Sequence, residues 1–325
     1  MSNLKDIKDR ITSIQNTQKI TKAMKMVAAA KVKKAENRVK AARPFAKEVA
    51  FVFSRLLRSV SKYSMSGLKV KRALDNYAEL LKPRELKTAG MIIVTSSKGL
   101  AGAYNANVIR FTLKRIEEYN KQNIKVKLFI VGQKGYQGLR RKCESLNCEI
   151  EKKYLNIPQS PTSGQAIVIA EDMTSCFVDN KIDNIEIITT RFQNMMSYKV
   201  VDWTILPMNL DEMKENNESD EQKPNKATQI DALMTFEPNE HVILQKVVPM
   251  FITNMIYHAL LEATASELAS RMTAMSSACK NAEDMIYKLS VDYNKARQGA
   301  ITQEINEVVS GANADIKLGN SLPLM

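Results

Sequence analysis

The chain is 325 residues long, 44% hydrophobic, with 48 Lys+Arg against 35 Asp+Glu for a net charge of +13. That length suits about two average domains and the apolar content is enough to bury a core, which excludes a disordered tail. The positive excess points to an acidic partner: nucleic acid, a membrane surface or an acidic protein face.

The excess is concentrated at one end. Residues 1–62 carry 16 Lys/Arg and 4 Asp/Glu, a net of +12, with no Gly and Pro44 as the one proline. Residues 63–228 have a net of +5 and residues 229–325 a net of −4. The opening MSNLKDIKDR has neither the apolar core of a signal peptide nor the Arg-rich, acid-poor character of a transit peptide. No stretch approaches the ~20 apolar residues of a bilayer span. A soluble chain that starts at its mature end is the expectation.

Steps of three and four through the first segment give Leu4, Ile7, Ile11, Ile14, Gln18, Thr21, Lys25, Ala28, Val32, Ala35, Val39 and Ala42. A mean step of 3.5 keeps one seam facing a partner helix. A helix over 1–62 would extend roughly 90 Å at 1.5 Å per residue, longer than a compact domain requires. The polar interval Gln18, Thr21, Lys25 either fixes register or faces another partner, because buried polar groups cost stability unless paired.

Residues 75–209 change period. MIIVTSS at Met91–Ser97, VKLFIVG at Val126–Gly132, IEIITTRF at Ile185–Phe192 and Val200–Leu206 read as strands. Helices are expected between them over 105–120, 133–145 and 163–180. This alternation predicts a small, Rossmann-like parallel α/β domain. Residues 210–228 are polar and read as a linker or loop.

The last segment repeats the first pattern: Leu261, Ala265, Leu268, Met272, Met275, Cys279, Ala282, Ile286, Leu289, Tyr293, Ala296, Ala300. A helix is predicted over 239–311, with Asn239 as N-cap and Pro249 bending it or marking a weak turn. Residues 312–325 read as a tail. Two such arms are most simply paired antiparallel, each burying the seam the other cannot bury alone. The competing reading, self-pairing of each arm with another copy, meets repulsion between two arms at +12. The fold class is thus α/β with long α arms in an antiparallel coiled coil.

Candidate chemistry is sparse. SSKGLAGAYN places Gly99 and Gly102 where phosphate-binding loops sit, but neither phosphate-loop spacing is present; a glycine turn is the simpler reading. Cys143 and Cys148, five apart, read as a redox pair or as two reduced thiols ending a helix, and the second fits better without a Cys-x-x-Cys spacing. Four cysteines and two histidines are too few for a disulfide framework or a zinc site. His258 reads as packed or at the surface, His241 as solvated, and Met24, Met26, Met272 and Met275 as packing residues. No catalytic constellation, metal or cofactor is expected.

IQNTQKITKAMKMVAAAKVKKAE at Ile14–Glu36 with ARPF at Ala42–Phe45 resembles the N-terminal helix of the gamma subunit of rotary F-type ATP synthases. SRMTAMSSACKNA at Ser270–Ala282 and YNKARQGAITQEINEVVSGA at Tyr293–Ala312 are similar to that family's C-terminal helix, and SSKGLAGAYN to its turn after the first strand. The resemblance implies a non-catalytic central rotor shaft, one copy per complex. Its paired arms would stand inside the ring of alpha and beta subunits, and its α/β foot would bind the epsilon subunit and the membrane ring of c subunits.

The resemblance also implies a peripheral protein on the cytoplasmic face of a bacterial inner membrane, proton translocation coupled to ATP synthesis, and no nucleic acid. Rotor–stator contacts carry over to Met24, Lys25, Arg271, Arg297, Gln298, Thr302 and Glu304. Beyond Ala300 the set Ile301, Ile305, Val308, Ala312 is expected to continue as a single helix without the first arm beside it. No equivalent of the regulatory dithiol insertion of chloroplast forms is present. The rivals are a nucleic-acid-binding protein with a basic arm, although the first 44 residues have no aromatic to stack on bases, and a nucleotide-dependent enzyme on the α/β domain.

Overall fold

The computed structural model describes residues 4–64, 84–206 and 240–319, with side chains except at 47, 53–64, 240–246 and 312–319. The 210–228 linker, the Asn239 cap and residues 320–325 of the tail lie outside it, and the His241 side chain lies outside the described side chains. Helix α1 (Leu4–Ser64) opens the chain. The α/β domain follows as β1 (Thr88–Val94), α2 (Tyr104–Lys121), β2 (Lys125–Val131), α3 (Gln133–Cys143), β3 (Cys148–Tyr154), α4 (Ser163–Val178), β4 (Asn184–Phe192) and β5 (Tyr198–Leu206). Helix α5 (Glu240–Gly319) completes it.

The sheet order is β3-β2-β1-β4-β5. The pairs β1–β2, β1–β4 and β2–β3 are parallel, whereas β4–β5 is antiparallel. The sheet is therefore mixed, a fifth strand returning beside β4 through the turn at Gln193–Ser197. β1 is TAGMIIV, buried at six of seven positions, the near-continuous apolar run of a central parallel strand. β3 is CEIEKKY and was not expected. It is an edge strand whose Glu and Lys side chains blunt the open edge, so a search for apolar runs passes over it. Cys148 opens this strand and does not belong to a helix.

Successive residues of β1 point to opposite faces. Ile92 and Val94 join a core with Phe177 of α4, Phe251, Ile256 and Leu260 of α5 and Val49 of α1. Met91 and Ile93 join a second core with Val108 and Ile116 of α2 and Leu139 of α3. One sheet face is thus covered by α2 and α3, the other by α4 together with both arms.

The chain divides into two compact units, Met1–Val27 with Met272–Met325, and Ala28–Arg271. In the first, Ile7, Met275 and Ala282 are buried, and the Thr21 hydroxyl and Cys279 thiol share a 3.2 Å hydrogen bond. In the second, Ala28, Val32, Ala35 and Val39 of α1 are buried, as are Leu261, Ala265 and Leu268 of α5. All twelve seam positions of the last segment are buried or half-buried. Within the second unit Arg43 of α1 meets Glu262 of α5.

Three expectations change. Lys25 is exposed and Met24 half-buried, so the seam passes through the methionine; an ammonium stays hydrated where a flexible thioether can pack. Met26 is 60% exposed and does not pack. Helix α5 continues past 311 to Gly319 and carries Pro249 inside it, as α1 carries Pro44. The helix-forming ANADIKL run has no breaker after Gly311, which is why the segment read as a tail stays helical that far.

Candidate functional site

The glycine turn after β1 is an anchor for the second arm. Leu100 and Gly102 both have positive φ, 62° and 55°, and this doubly left-handed path aims two carbonyls at α5. The Ser270 hydroxyl donates to the Ala101 carbonyl at 2.7 Å, and the Arg271 guanidinium donates to the Gly99 carbonyl at 3.1 Å. Arg271 also pairs with Glu267 at 2.5 Å. Both side chains of that pair are buried, and burial raises the Glu267 carboxyl while the Arg271 charge opposes the rise. On the other side the Ser96 hydroxyl donates to the Lys98 carbonyl, and the Ser96 N–H donates to Asn105 Oδ1 at 3.0 Å, fixing the turn to the start of α2.

These bonds settle what the turn can do. A phosphate cradle presents N–H donors to an anion; here the carbonyls of Gly99 and Ala101 accept from the arm. A cavity of about 310 Å³ does lie beyond the ends of β1 and β2, where open α/β sheets hold ligands, but Leu260, Ala263, Thr264 and Glu267 of α5 form one of its walls. A phosphate there would meet the buried Glu267 carboxylate. The sheet end is used to hold a helix.

A second anchor joins three elements. Glu262, with its side chain 1% exposed, accepts from Arg43 Nε at 3.1 Å, from Arg43 Nη2 at 2.9 Å and from the Phe192 N–H at 2.7 Å. Arg43 Nη2 also donates to the Phe192 carbonyl at 3.0 Å. One carboxylate therefore ties α1, α5 and the end of β4 together. His258, one turn earlier on α5, stacks on Trp203 with ring centroids 6.0 Å apart and lies 3.6 Å from Glu262. Burial holds its imidazole below the usual histidine range. It is a packed residue. The Thr189 hydroxyl adds a bond to the Ala259 carbonyl, and Lys31 one to Gln159.

The expected contact residues divide into two groups. Arg297, Gln298, Thr302 and Glu304 are exposed on α5, and Lys25 is exposed on α1. The Thr302 hydroxyl is turned back onto the Gln298 carbonyl at 2.9 Å. From Ile301 to Gly311 every residue is exposed, with Ile305 at 56% and Val308 at 72%, so the seam ends at Ala300 and a single helix continues. Met24 is half-buried, and Arg271 is committed to Glu267 and the glycine turn.

A family model described as ATP synthase matches residues 3–314. ATP synthase gamma chains of Gloeothece citriformis and a Synechococcus species are each 40% identical over 328 residues, covering 97% of this chain and 100% of theirs. The chain belongs to the ATP synthase gamma chain family. The central stalk and c-ring structure of Tetrahymena thermophila mitochondrial ATP synthase contains a chain 26% identical to this one, with a TM-score of 0.55 over 80% of this chain and 99% of that one. A chain of the Euglena gracilis mitochondrial ATP synthase has the same fold, with a TM-score of 0.62 over 99% and 97% at 18% identity.

As a gamma chain the protein is a non-catalytic subunit of an ATP synthase. The family motifs pointed to one side of each anchor: ARPF holds Arg43, and SRMTAM opens on Ser270 and Arg271. Glu262 and Glu267 were missed. Each looked like one more charge on a helix, and the contact of Glu262 with Arg43 spans 219 positions of sequence.

Proposed function

We propose that this gamma chain is the central rotor shaft of a proton-translocating ATP synthase. It couples rotation of the membrane c-ring to conformational change at the catalytic beta subunits. The observation that carries the reading is the pair of anchors: the α/β domain grips α1 and α5 through Glu262, Arg43, Ser270 and Arg271. Torque delivered to the domain then turns both arms. The epsilon subunit and c-ring bind the α/β domain, and alpha and beta subunits surround the arms, with one gamma per complex.

In this reading Lys25, Arg297, Gln298, Thr302 and Glu304 touch beta-subunit loops as the shaft turns, Met24 contributes its half-exposed thioether, and Arg271 acts from inside by holding the turn from which torque enters α5. The asymmetric shaft shifts the balance between open and closed beta states through contacts that differ with angle. No described helix is long and apolar enough to cross a membrane, which suits a peripheral subunit on the cytoplasmic face of a bacterial inner membrane. The excess of +12 on the first arm suits acidic protein loops.

Purification tests the reading. The tagged chain should bring down alpha and beta subunits in a stoichiometric complex that survives high salt. Recovery of RNA in a complex that dissolves with salt, without those subunits, would overturn it, since phosphate contacts weaken steeply as salt rises.

A further inference from the structure

Arg43 and His258 face the same oxygen of Glu262. Arg43 Nε and Nη2 both donate to Glu262 Oε1, at 3.1 and 2.9 Å, and His258 Nε2 stands 3.6 Å from that atom. Nε2 is buried and has no hydrogen-bond partner among the described residues. At this distance it is not bonded to the carboxylate, and a buried nitrogen left unmatched calls for an explanation. A protonated imidazole supplies one. Its N–H would bond Oε1 at about 2.8 Å, the length of a charge-assisted contact, after a small shift of either group. The charges acting on the ring come from three elements: Glu262 on α5 itself, Arg43 on α1 and Arg191 on β4. β5 contributes the uncharged Trp203.

We propose that His258 makes the three-way anchor sensitive to pH: when Nε2 takes up a proton, Glu262 passes from Arg43 of α1 to His258 of its own helix, and the hold on the first arm loosens. The geometry selects which partner leaves. Glu262 Oε2 is held by the Phe192 N–H at 2.7 Å, and His258 lies one turn away on the same helix, so neither can withdraw. The Arg43 side chain is 37% exposed, so its guanidinium can turn to water when a second cation arrives at Oε1. The link from α5 to β4 survives and the link to α1 is lost.

Burial holds the imidazole below its usual 6.5; Glu262 opposes that effect, and Arg43 and Arg191 add to it. The folded state therefore takes up the proton less readily than the unfolded chain. The stability this confers is full above 6.5, is lost as pH falls from there through the lowered folded value, and changes no further below it. The anchor is closed at neutral pH and opens on the acid side. In a rotor shaft this would slacken the link between the α/β domain and α1. That consequence rests on the proposed function, whereas the switch is a property of the chain alone, so failure of the switch leaves that function standing.

The full-length chain tests it through Trp203, its one tryptophan, whose ring stacks on His258 with centroids 6.0 Å apart. A protonated imidazole quenches indole emission, so fluorescence should fall in one titration with its midpoint below 6.5, and His258→Gln should abolish the fall. Coupling is reciprocal: if the proton weakens the grip of Arg43, Arg43 weakens the hold on the proton. Arg43→Gln should therefore raise the midpoint by about 0.7 pH unit, the roughly fivefold change at the low end of coupling between sites, and Glu262→Gln should lower it. Amide exchange needs no Arg43 variant. After correction for its intrinsic pH dependence, exchange over residues 36–46 should be faster on the acid side of the midpoint than at neutral pH in wild type, and not in His258→Gln. A midpoint unmoved by Arg43→Gln, a transition that persists in His258→Gln, or equal protection of residues 36–46 on both sides of the midpoint would overturn the proposal.

Discussion

Removing Arg43 should damage the fold more than removing Glu262, although Glu262 is the more deeply buried of the two. Arg43→Ala leaves a carboxylate whose side chain is 1% exposed with the Phe192 N–H as its remaining hydrogen bond and His258 at 3.6 Å. Breaking a buried pair from one side costs about 3–5 kcal/mol. Because the Arg43 side chain is 37% exposed, solvent screens part of the attraction it supplied, and the low end, about 3 kcal/mol, is expected. Glu262→Ala instead leaves a guanidinium that can turn to water and still reach the Phe192 carbonyl, for about 2 kcal/mol. The double variant should cost little more than Arg43→Ala, a coupling of about 2 kcal/mol. Urea unfolding followed through Trp203, the one tryptophan of the chain, reads the β5 side of this anchor directly. If the two substitutions are additive to within about 0.5 kcal/mol, the carboxylate does not join the arms and the anchor is misassigned.

Gly132→Ala should destabilise by more than about 2 kcal/mol, because Gly132 has φ +97° and an added Cβ would strike the Thr95 carbonyl; an unchanged urea midpoint would refute this. Glu186 is raised from its usual 4.5 by burial, against the lowering effects of Tyr119 and Arg115, so the folded state holds its proton more tightly than the unfolded one. Its contribution to stability therefore falls as pH rises from 4.5 through the raised value and is constant above it. The advantage of wild type over Glu186→Gln should shrink across that window in paired denaturation curves, and an advantage that grows with pH contradicts the assignment. Met24→Lys and Gln298→Leu should leave the complex assembled while altering the ratio of proton pumping to ATP hydrolysis in membrane vesicles; unchanged ratios in both would remove these residues from the stator contacts. ATP hydrolysis by the isolated chain should be absent, and measurable turnover would contradict a non-catalytic role.

Periodicity alone carried the arms. The twelve seam positions of the last segment are buried or half-buried, and exposure sets in after Ala300, because a 3.5-residue spacing leaves a helix one apolar seam that water does not tolerate. Apolar runs carried β1, β2 and β4 for the same reason: central parallel strands are buried on both faces. β3 escaped because an edge strand needs charge on its open side, and charge hides the strand signal.

What sequence could not decide is where single charges end up. Arg271 and Arg297 look alike as basic residues in family motifs on one helix, yet the first is buried against Glu267 and Gly99 while the second is exposed. Lys25 occupied a seam position by count and lost it to Met24. The glycine turn could be placed after a strand, but its carbonyls acquire a purpose only when Ser270 and Arg271 come to meet them. The sequence by itself determined two seams, a strand-helix alternation and family membership, because these are repeated local patterns. The tertiary structure alone decided the two anchors, because each rests on a few polar atoms whose free energy depends on burial and partner.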